Sequence, residues 1–266
     1  MPSPDRILYC RCAYSDAIPR TVKDRVLEAL VEADLPFLPV VDLCALSARK
    51  DPMLRELARS GGLVILACHE RAVRALFEAG GAPLPADGAA ILNMRTQTPE
   101  AVLKGLPSTG NRPARRAPKR KTSGASLKAQ ALRKSLRQQA DADRWIPWFP
   151  VIDRARCTDC RKCLGFCLFG VFALSADGRV RVEQPANCKT FCPACARVCP
   201  EGAIMFPKHP TGPVNGGEPS EGAEDEAMKV DLSRLTQGDL YAALRARGIA
   251  GPRRASGGGS DDGPDR

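Results

Sequence analysis

The chain has 266 residues, of which 44% are hydrophobic, 26% are charged and 12 are cysteines. This apolar content can build one large or two modest cores, which excludes a wholly disordered chain, and the cysteines are too sparse for a small disulfide-stapled scaffold. The formal charge of +10 is confined to one segment, because residues 105–140 contain ten Lys or Arg and no Asp or Glu. The remainder is close to neutral, so the net charge alone does not indicate a nucleic-acid-binding protein.

The amino terminus carries no apolar signal segment, since charges at Asp5 and Arg6 interrupt it. The longest apolar run, residues 63–68, is far shorter than the roughly 20 residues that cross a bilayer. We therefore predict no export, no membrane span and a reducing, cytoplasmic location. With only two histidines in the chain, metal binding must rest mainly on sulfur.

Alternating strand and helix patterns fill the first hundred residues. Apolar runs predict strands over 7–10, 37–44, 63–68 and 89–94, and the first three end in cysteine. Helical patterns lie between or after these strands. Two of them cover 21–34 and 69–79, and two others begin at Asp51-Pro52 and at Thr98. This order predicts an α/β parallel-sheet amino-terminal domain over residues 1–105. Because sites form at the carboxyl edge of such sheets, one rim should bring together the amino-terminal cysteine set: Cys10, Cys12, Cys44 and Cys68.

Composition changes after this domain. Residues 106–144 predict a basic linker with one exposed helix at 125–142. The aromatic segment 145–150 then leads into a cysteine-rich block ending near residue 212. Residues 213–266 predict a mostly disordered tail with a short helix near 237–247, because their Gly, Pro and Glu content buries little apolar area.

The cysteine-rich block contains two closely spaced runs. Two strand patterns joined through Ala176-Asp177-Gly178 predict a hairpin between them. The runs are Cys157-x2-Cys160-x2-Cys163-x3-Cys167 and Cys188-x3-Cys192-x2-Cys195-x3-Cys199-Pro200. Over about residues 150–208 the chain resembles the two-cluster bacterial-type ferredoxin module, which implies a small α+β ferredoxin-like domain at 145–212. It departs from that pattern in two ways. Leu168 stands where proline is usual, and three residues instead of the usual two separate Cys188 from Cys192.

The resemblance implies two [4Fe-4S] clusters, because in such ferredoxins the last cysteine of each run ligates the other cluster. The first cysteine set would be Cys157, Cys160, Cys163 and Cys199. The second cysteine set would be Cys188, Cys192, Cys195 and Cys167. Zinc is the alternative, but a third cysteine at the same short interval has no place in a tetrahedral zinc knuckle. Disulfides are disfavoured in a reducing compartment.

Several short motifs in the first domain resemble the amino-terminal domain of HdrA-like proteins of the heterodisulfide reductase family. They are Tyr9-Cys10-Arg11-Cys12, Asp42-Leu43-Cys44, Ala67-Cys68-His69-Glu70-Arg71-Ala72 with Phe77, and Asn93-Met94-Arg95. The resemblance implies a third iron-sulfur cluster on the amino-terminal cysteine set. The alternatives are ordinary buried cysteines or a redox pair, which Cys10 and Cys12 would form with each other or with Cys44. His69 is either a further ligand or, as we expect, a helix-start histidine hydrogen-bonded to backbone.

These motifs favour an iron-sulfur electron carrier that relays single electrons between redox partners, such as an acidic flavoprotein or an oxidoreductase complex. No catalytic triad, phosphate loop, flavin or NAD fingerprint occurs in the sequence. One alternative is an electron-transfer component of a heterodisulfide-reductase-like complex, with substrate chemistry at the amino-terminal rim. The other alternative is nucleic-acid binding through the basic linker. The linker lacks interleaved aromatic residues for base stacking, which argues against this alternative.

Overall fold

The computed structural model describes residues 6–106, 123–143 and 145–218. Residues 6–106, the amino-terminal module, form a four-stranded parallel sheet in the order β2-β1-β3-β4, with helices connecting the strands. The strands are β1 (Arg6–Cys10), β2 (Phe37–Val40), β3 (Leu63–Ala67) and β4 (Ala89–Asn93). The helices are α1 (Arg20–Glu32), α2 (Leu43–Ala48), α3 (Pro52–Arg59), α4 (Glu70–Ala79) and α5 (Pro99–Lys104). The predicted parallel α/β class of this module is confirmed.

The second strand is shorter than its apolar run predicts. It ends at Val40, and the side chain of Asp42 accepts a hydrogen bond from the backbone N–H of Ala45 at 3.2 Å. This cap begins α2, because it satisfies a donor that the first helical turn leaves free. Our prediction that Cys44 ends a strand is therefore wrong: Cys44 lies in the first turn of α2.

Other predicted helix boundaries are confirmed by their caps. The side chain of Asp51 accepts a hydrogen bond from Met53 N–H at 2.9 Å, and Pro52 begins α3. Thr98 and Pro99 begin α5 in the same way, and Gly80 ends α4. These boundaries depend on neighbouring residues alone, which explains why the sequence indicates them.

The helix α6 (Ser123–Ala142) has one buried face, although we predicted an exposed helix. Ala129 and Leu136 are buried, and Arg133 pairs with Asp24 at 3.5 Å and with Glu28 at 3.2 Å, both on α1. A stripe of small and apolar residues within a basic sequence explains the difference, since burial depends on the face and not on the total charge. Among the residues that the structure describes, no helix is long and apolar enough to cross a membrane.

Residues 145–218, the cysteine-rich module, contain short elements. They are β5 (Val151–Ile152), α7 (Lys162–Phe166), β6 (Phe172–Leu174), β7 (Val180–Val182), a 3-10 turn (Pro185–Asn187), α8 (Ala194–Arg197) and β8 (Ile204–Met205). The predicted hairpin is confirmed as the antiparallel pair β6 and β7. Its turn contains Gly178 at φ +77°, a left-handed conformation that glycine adopts without a steric penalty.

The antiparallel pair of β5 and β8 lies between two hydrophobic cores. Val151 and Met205 belong to the core of the amino-terminal module, whereas Ile152 and Ile204 belong to the core around the cysteine loops. Successive side chains of a strand point to opposite faces, so each of these two-residue strands contributes one side chain to each core.

Residues 213–218 are ordered by packing, contrary to our prediction of a tail that is disordered from residue 213. Val214 and Asn215 are buried, and Phe206 N–H donates to the Val214 carbonyl at 2.7 Å. Gly216 adopts φ +91°, and a Cβ there would lie 2.8 Å from the Cβ of Ala72 on α4. Glycine at position 216 thus permits the chain to pack closely against α4. The glycine content of this segment had led us to predict disorder instead. The short helix predicted near 237–247 lies outside the described residues.

Candidate metal centres

The first cysteine set surrounds one cavity in the cysteine-rich module. Cys157, Cys160, Cys163 and Cys199 all line it. Asp159 and Arg161 adopt left-handed φ angles of +52° and +62°, which turn the loop so that successive cysteines face the same space. The Asp159 carboxylate fixes this loop to the hairpin by accepting hydrogen bonds from Val180 N–H at 2.9 Å and Arg154 at 3.3 Å.

The thiol groups of the first set are close enough to influence one another. Burial is the main cause that raises the pKa of Cys163 to about 11, and the other three thiols of the set add to it. The backbone N–H of Ala203 donates to the Cys199 Sγ at 3.3 Å. Four sulfur donors and an amide directed at sulfur are the surroundings that an iron-sulfur cluster uses.

The second cysteine set converges beside the first. Burial raises the pKa of Cys188 to about 12, with further contributions from Cys192 and Cys167. Burial is also the main cause that raises the pKa of Cys195. The charges of Cys188 and Cys167, and then of Cys163 from the first set, raise it further. Cys199, the last cysteine of the second run, lines the cavity of the first run. Cys163, Cys167 and Cys188 all pack against the hydrophobic cluster that contains Cys195, so the two sets are neighbours.

The additional residue in the second run is accommodated by an outward-facing phenylalanine. The backbone N–H of Cys192 donates to the Lys189 carbonyl at 3.0 Å, which closes a turn. Phe191 within this turn adopts φ +64°, an uncommon conformation for a bulky residue, and its ring lies 5.2 Å from that of Trp148. The longer spacing thus changes the turn and leaves the four cysteines together.

The amino-terminal cysteine set also lines one cavity. Cys10, Cys12, Cys44 and Cys68 surround it together with Asp42 and Lys208. From β1 the chain crosses to β2 on one side of the sheet, whereas β3 lies on the other side, so a crevice opens at the carboxyl ends of β1 and β3. Three of these cysteines are buried and Cys68 is half-buried.

Burial dominates the chemistry of the amino-terminal cysteine set. It raises the pKa of all four thiols, that of Cys68 to about 12. The positive charge of Lys208 acts in the opposite direction on Cys12, Cys44 and Cys68. A bound metal would favour the thiolate form further, since thiolates are the metal-binding state.

Lys208 is the residue of this candidate site that sequence reasoning missed. Its Nζ donates to both oxygens of Asp42 at 2.8 Å, and the two side chains are 4% and 1% exposed. Burial by itself would lower the pKa of Lys208, but Asp42, Cys44 and Cys12 raise it well above the usual value. The residue stands 166 positions from its partner and belongs to the cysteine-rich module, so no local motif could indicate it.

Further cations hold the two modules together at this edge. Arg95 donates to the carbonyl groups of Pro207 at 3.0 Å, His209 at 2.5 Å and Pro210 at 2.7 Å. Arg71 pairs with Asp153 at 2.5 Å. The amino-terminal cavity is therefore closed by residues 207–208 of the other module.

His69 begins α4 as we expected, but its hydrogen-bond partner differs from the prediction. Its Nδ1 lies 3.1 Å from the side-chain amide nitrogen of Asn93, so its partner is a side chain and not the backbone. It stands outside the lining of the amino-terminal cavity. In the described part of the chain, no group of three or more His, Cys, Asp or Glu side chains is positioned to hold a single metal ion.

No protein-family model matches the chain. It is similar to two uncharacterised ferredoxins of Methanocaldococcus jannaschii. One is 44% identical over 63 residues, which are 23% of this chain and 42% of that protein. The other is 38% identical over 55 residues, which are 20% of this chain and 86% of that protein. The chain spans less than half the length of the first relative and most of the second.

The class of protein follows from the two interleaved cysteine sets and from these relatives. This chain belongs to the ferredoxin family through a ferredoxin module. The resemblance of residues 1–105 to HdrA-like proteins stays a prediction.

Proposed function

We propose that this protein is an iron-sulfur electron carrier with three clusters, one on each cysteine set. The observation that best supports the proposal is that Cys199 lines the cavity of the first run, while Cys167 packs with Cys188 against the hydrophobic cluster that contains Cys195. Thiolates are the donors for such clusters, and the spacing suits cubanes more than zinc. Each cluster, when bound, supplies a site that accepts and returns one electron.

The residues of this chain determine the surroundings of each cluster. The N–H groups of Ala203 and Leu43 donate to Cys199 and Cys10, both at 3.3 Å, and such bonds to sulfur adjust a reduction potential. Burial of the amino-terminal cysteine set excludes water. The first and second cysteine sets lie instead in loops whose cysteines are mostly half-buried. Cys163 of the first set packs against the hydrophobic cluster that contains Cys195, and this proximity supports one-electron transfer between the two loop clusters.

The pairing of cysteines can be tested by iron and acid-labile sulfide content after anaerobic preparation. We expect about twelve irons per chain from three cubanes. Cys157→Ser and Cys199→Ser should each remove about four, and the double variant should remove no more than either alone. Cys157→Ser combined with Cys167→Ser should remove about eight. Additive losses in the first pair, or zinc in place of iron, would contradict the proposal.

The third cluster has its own test. Cys44→Ser should lower the content from about twelve irons to about eight. Ala45→Ser introduces the same hydroxyl one position further in the same helix and should leave the content unchanged. A wild-type content of about eight irons that Cys44→Ser leaves unchanged would remove the third cluster and retain the other two.

A further inference from the structure

We infer that the surface around the second cysteine set is the docking face for an acidic redox protein. The inference rests on the proposed electron-carrier function, since it names the partner class of that same site. The docking face comprises the loops that flank this cysteine set: Phe166, Leu168, Phe169, Lys189, Phe191 and Arg197.

Apolar side chains are unusually exposed on this face. Leu168 follows Cys167 and is 92% exposed, and Phe191 precedes Cys192 and is 77% exposed. Phe166 and Phe169 flank the same cysteine as Leu168 and are also exposed. Exposed apolar residues that cluster beside a redox centre indicate an interaction site, whereas scattered ones do not.

The charge of the docking face specifies the partner. Between residues 163 and 170, and between residues 188 and 200, the two charged residues are Lys189 and Arg197, and both are basic. Both are exposed, as are Arg161 and Lys162 in the neighbouring loop of the first cysteine set. An apolar centre with a basic surround complements an acidic surface, which accelerates encounter and orients the partner.

The position of the face suits electron exit. The loops that bear the exposed side chains also supply Cys167, Cys188 and Cys192, so a docked protein would lie close to the cysteines that would hold the second cluster. One electron would leave the reduced cluster and reduce the flavin of an acidic flavoprotein by one electron. No bond in this chain would form or break.

The test uses the full-length, iron-loaded chain and a flavodoxin as the acidic probe. Lys189→Glu combined with Arg197→Glu reverses the charge of the docking face. The matched control, Lys134→Glu with Arg137→Glu, makes the same change on exposed positions of α6. Calorimetric titration of the oxidised proteins measures binding, and reduction by dithionite followed by mixing measures electron transfer.

We expect the docking-face variant to bind flavodoxin at least about tenfold more weakly and to reduce it correspondingly more slowly, while the α6 variant resembles wild type. Iron content and reduction of methyl viologen, which requires no docking, should not change. Equal losses in both variants would overturn the inference in favour of diffuse attraction to the basic segment. Unchanged binding would overturn it directly, and loss of iron in wild type would instead contradict the proposed function.

The apolar part is tested by Leu168→Ser against Leu127→Ser, an exposed leucine on α6. Only the first should weaken flavodoxin binding, by several-fold. Equal behaviour of the two variants, self-association through this face in light scattering, or tighter binding of a single-stranded oligonucleotide there would overturn the assignment to an acidic redox protein.

Discussion

The amino-terminal cysteine set and the second cysteine set place four thiol groups each in opposite surroundings. The former lies at the edge of a parallel sheet, buried and beside the Lys208–Asp42 ion pair. The latter lies in short loops with Leu168 and Phe191 exposed next to its cysteines. The difference shows that burial of thiol groups in this chain is accompanied by a buried cation that favours their thiolate form, whereas the loop set remains partly open to solvent.

Removal of the buried cation should have the largest effect on this contrast. Lys208→Met leaves Asp42 buried without its partner, which should lower the free energy of unfolding by about 3–5 kcal/mol. Chemical denaturation of the anaerobic protein measures this. Arg137→Ala, which breaks an exposed pair with Asp141, should cost no more than about 0.5 kcal/mol. Adding Asp42→Asn to Lys208→Met should recover part of the lost free energy of unfolding. If both variants were as stable as wild type, the Lys208–Asp42 pair would have no role in stability.

The glycine segment over α4 should give the next largest effect. Gly216→Ala adds a side chain at φ +91° and 2.8 Å from Ala72, so we expect a destabilisation of about 1–3 kcal/mol. Gly124→Ala on α6 meets no atom within 4 Å and should stabilise by up to about 1 kcal/mol. Thermal unfolding compares the two, and a neutral Gly216→Ala would contradict the close packing of residues 213–218.

Iron release should distinguish the buried site from the loop sites by rate. With an excess of a ferrous chelator, we expect a fast phase of about eight irons and a slow phase of about four. The two phases should differ at least about tenfold, because the chelator must wait for local opening at the buried edge. Absorbance of the chelate follows the release. A single phase would show that the three sites are equally accessible.

The smallest effect is expected at Leu168. Cys167 is extended, at φ −74° and ψ 112°, which is a conformation that a following proline favours. Leu168→Pro should therefore change the free energy of unfolding by no more than about 0.5 kcal/mol, since the side chain is 92% exposed. Denaturant titration and iron content measure the result, and a loss of iron would show that the departure from proline is required by the second cysteine set.

Sequence reasoning succeeded where neighbouring residues decide the outcome. The parallel α/β module, the cap at Asp51, the start of α5 at Thr98 and the hairpin around Gly178 follow from periodicity and turn chemistry. It failed where distant residues compete. The helix cap at Asp42 ends β2 earlier than the apolar run predicts, and α1 buries one face of α6. Val214 is buried although it lies within a segment rich in glycine and proline.

The sequence by itself determined which residue types can act here, because cysteine spacing and strand and helix periods are local properties of the chain. It also determined that the chemistry is based on sulfur. Only the tertiary structure decided that Lys208 enters the amino-terminal cavity and that residues 207–208 close it. Burial and charge compensation depend on which distant segments meet, and the free energy of that packing is distributed over the whole fold.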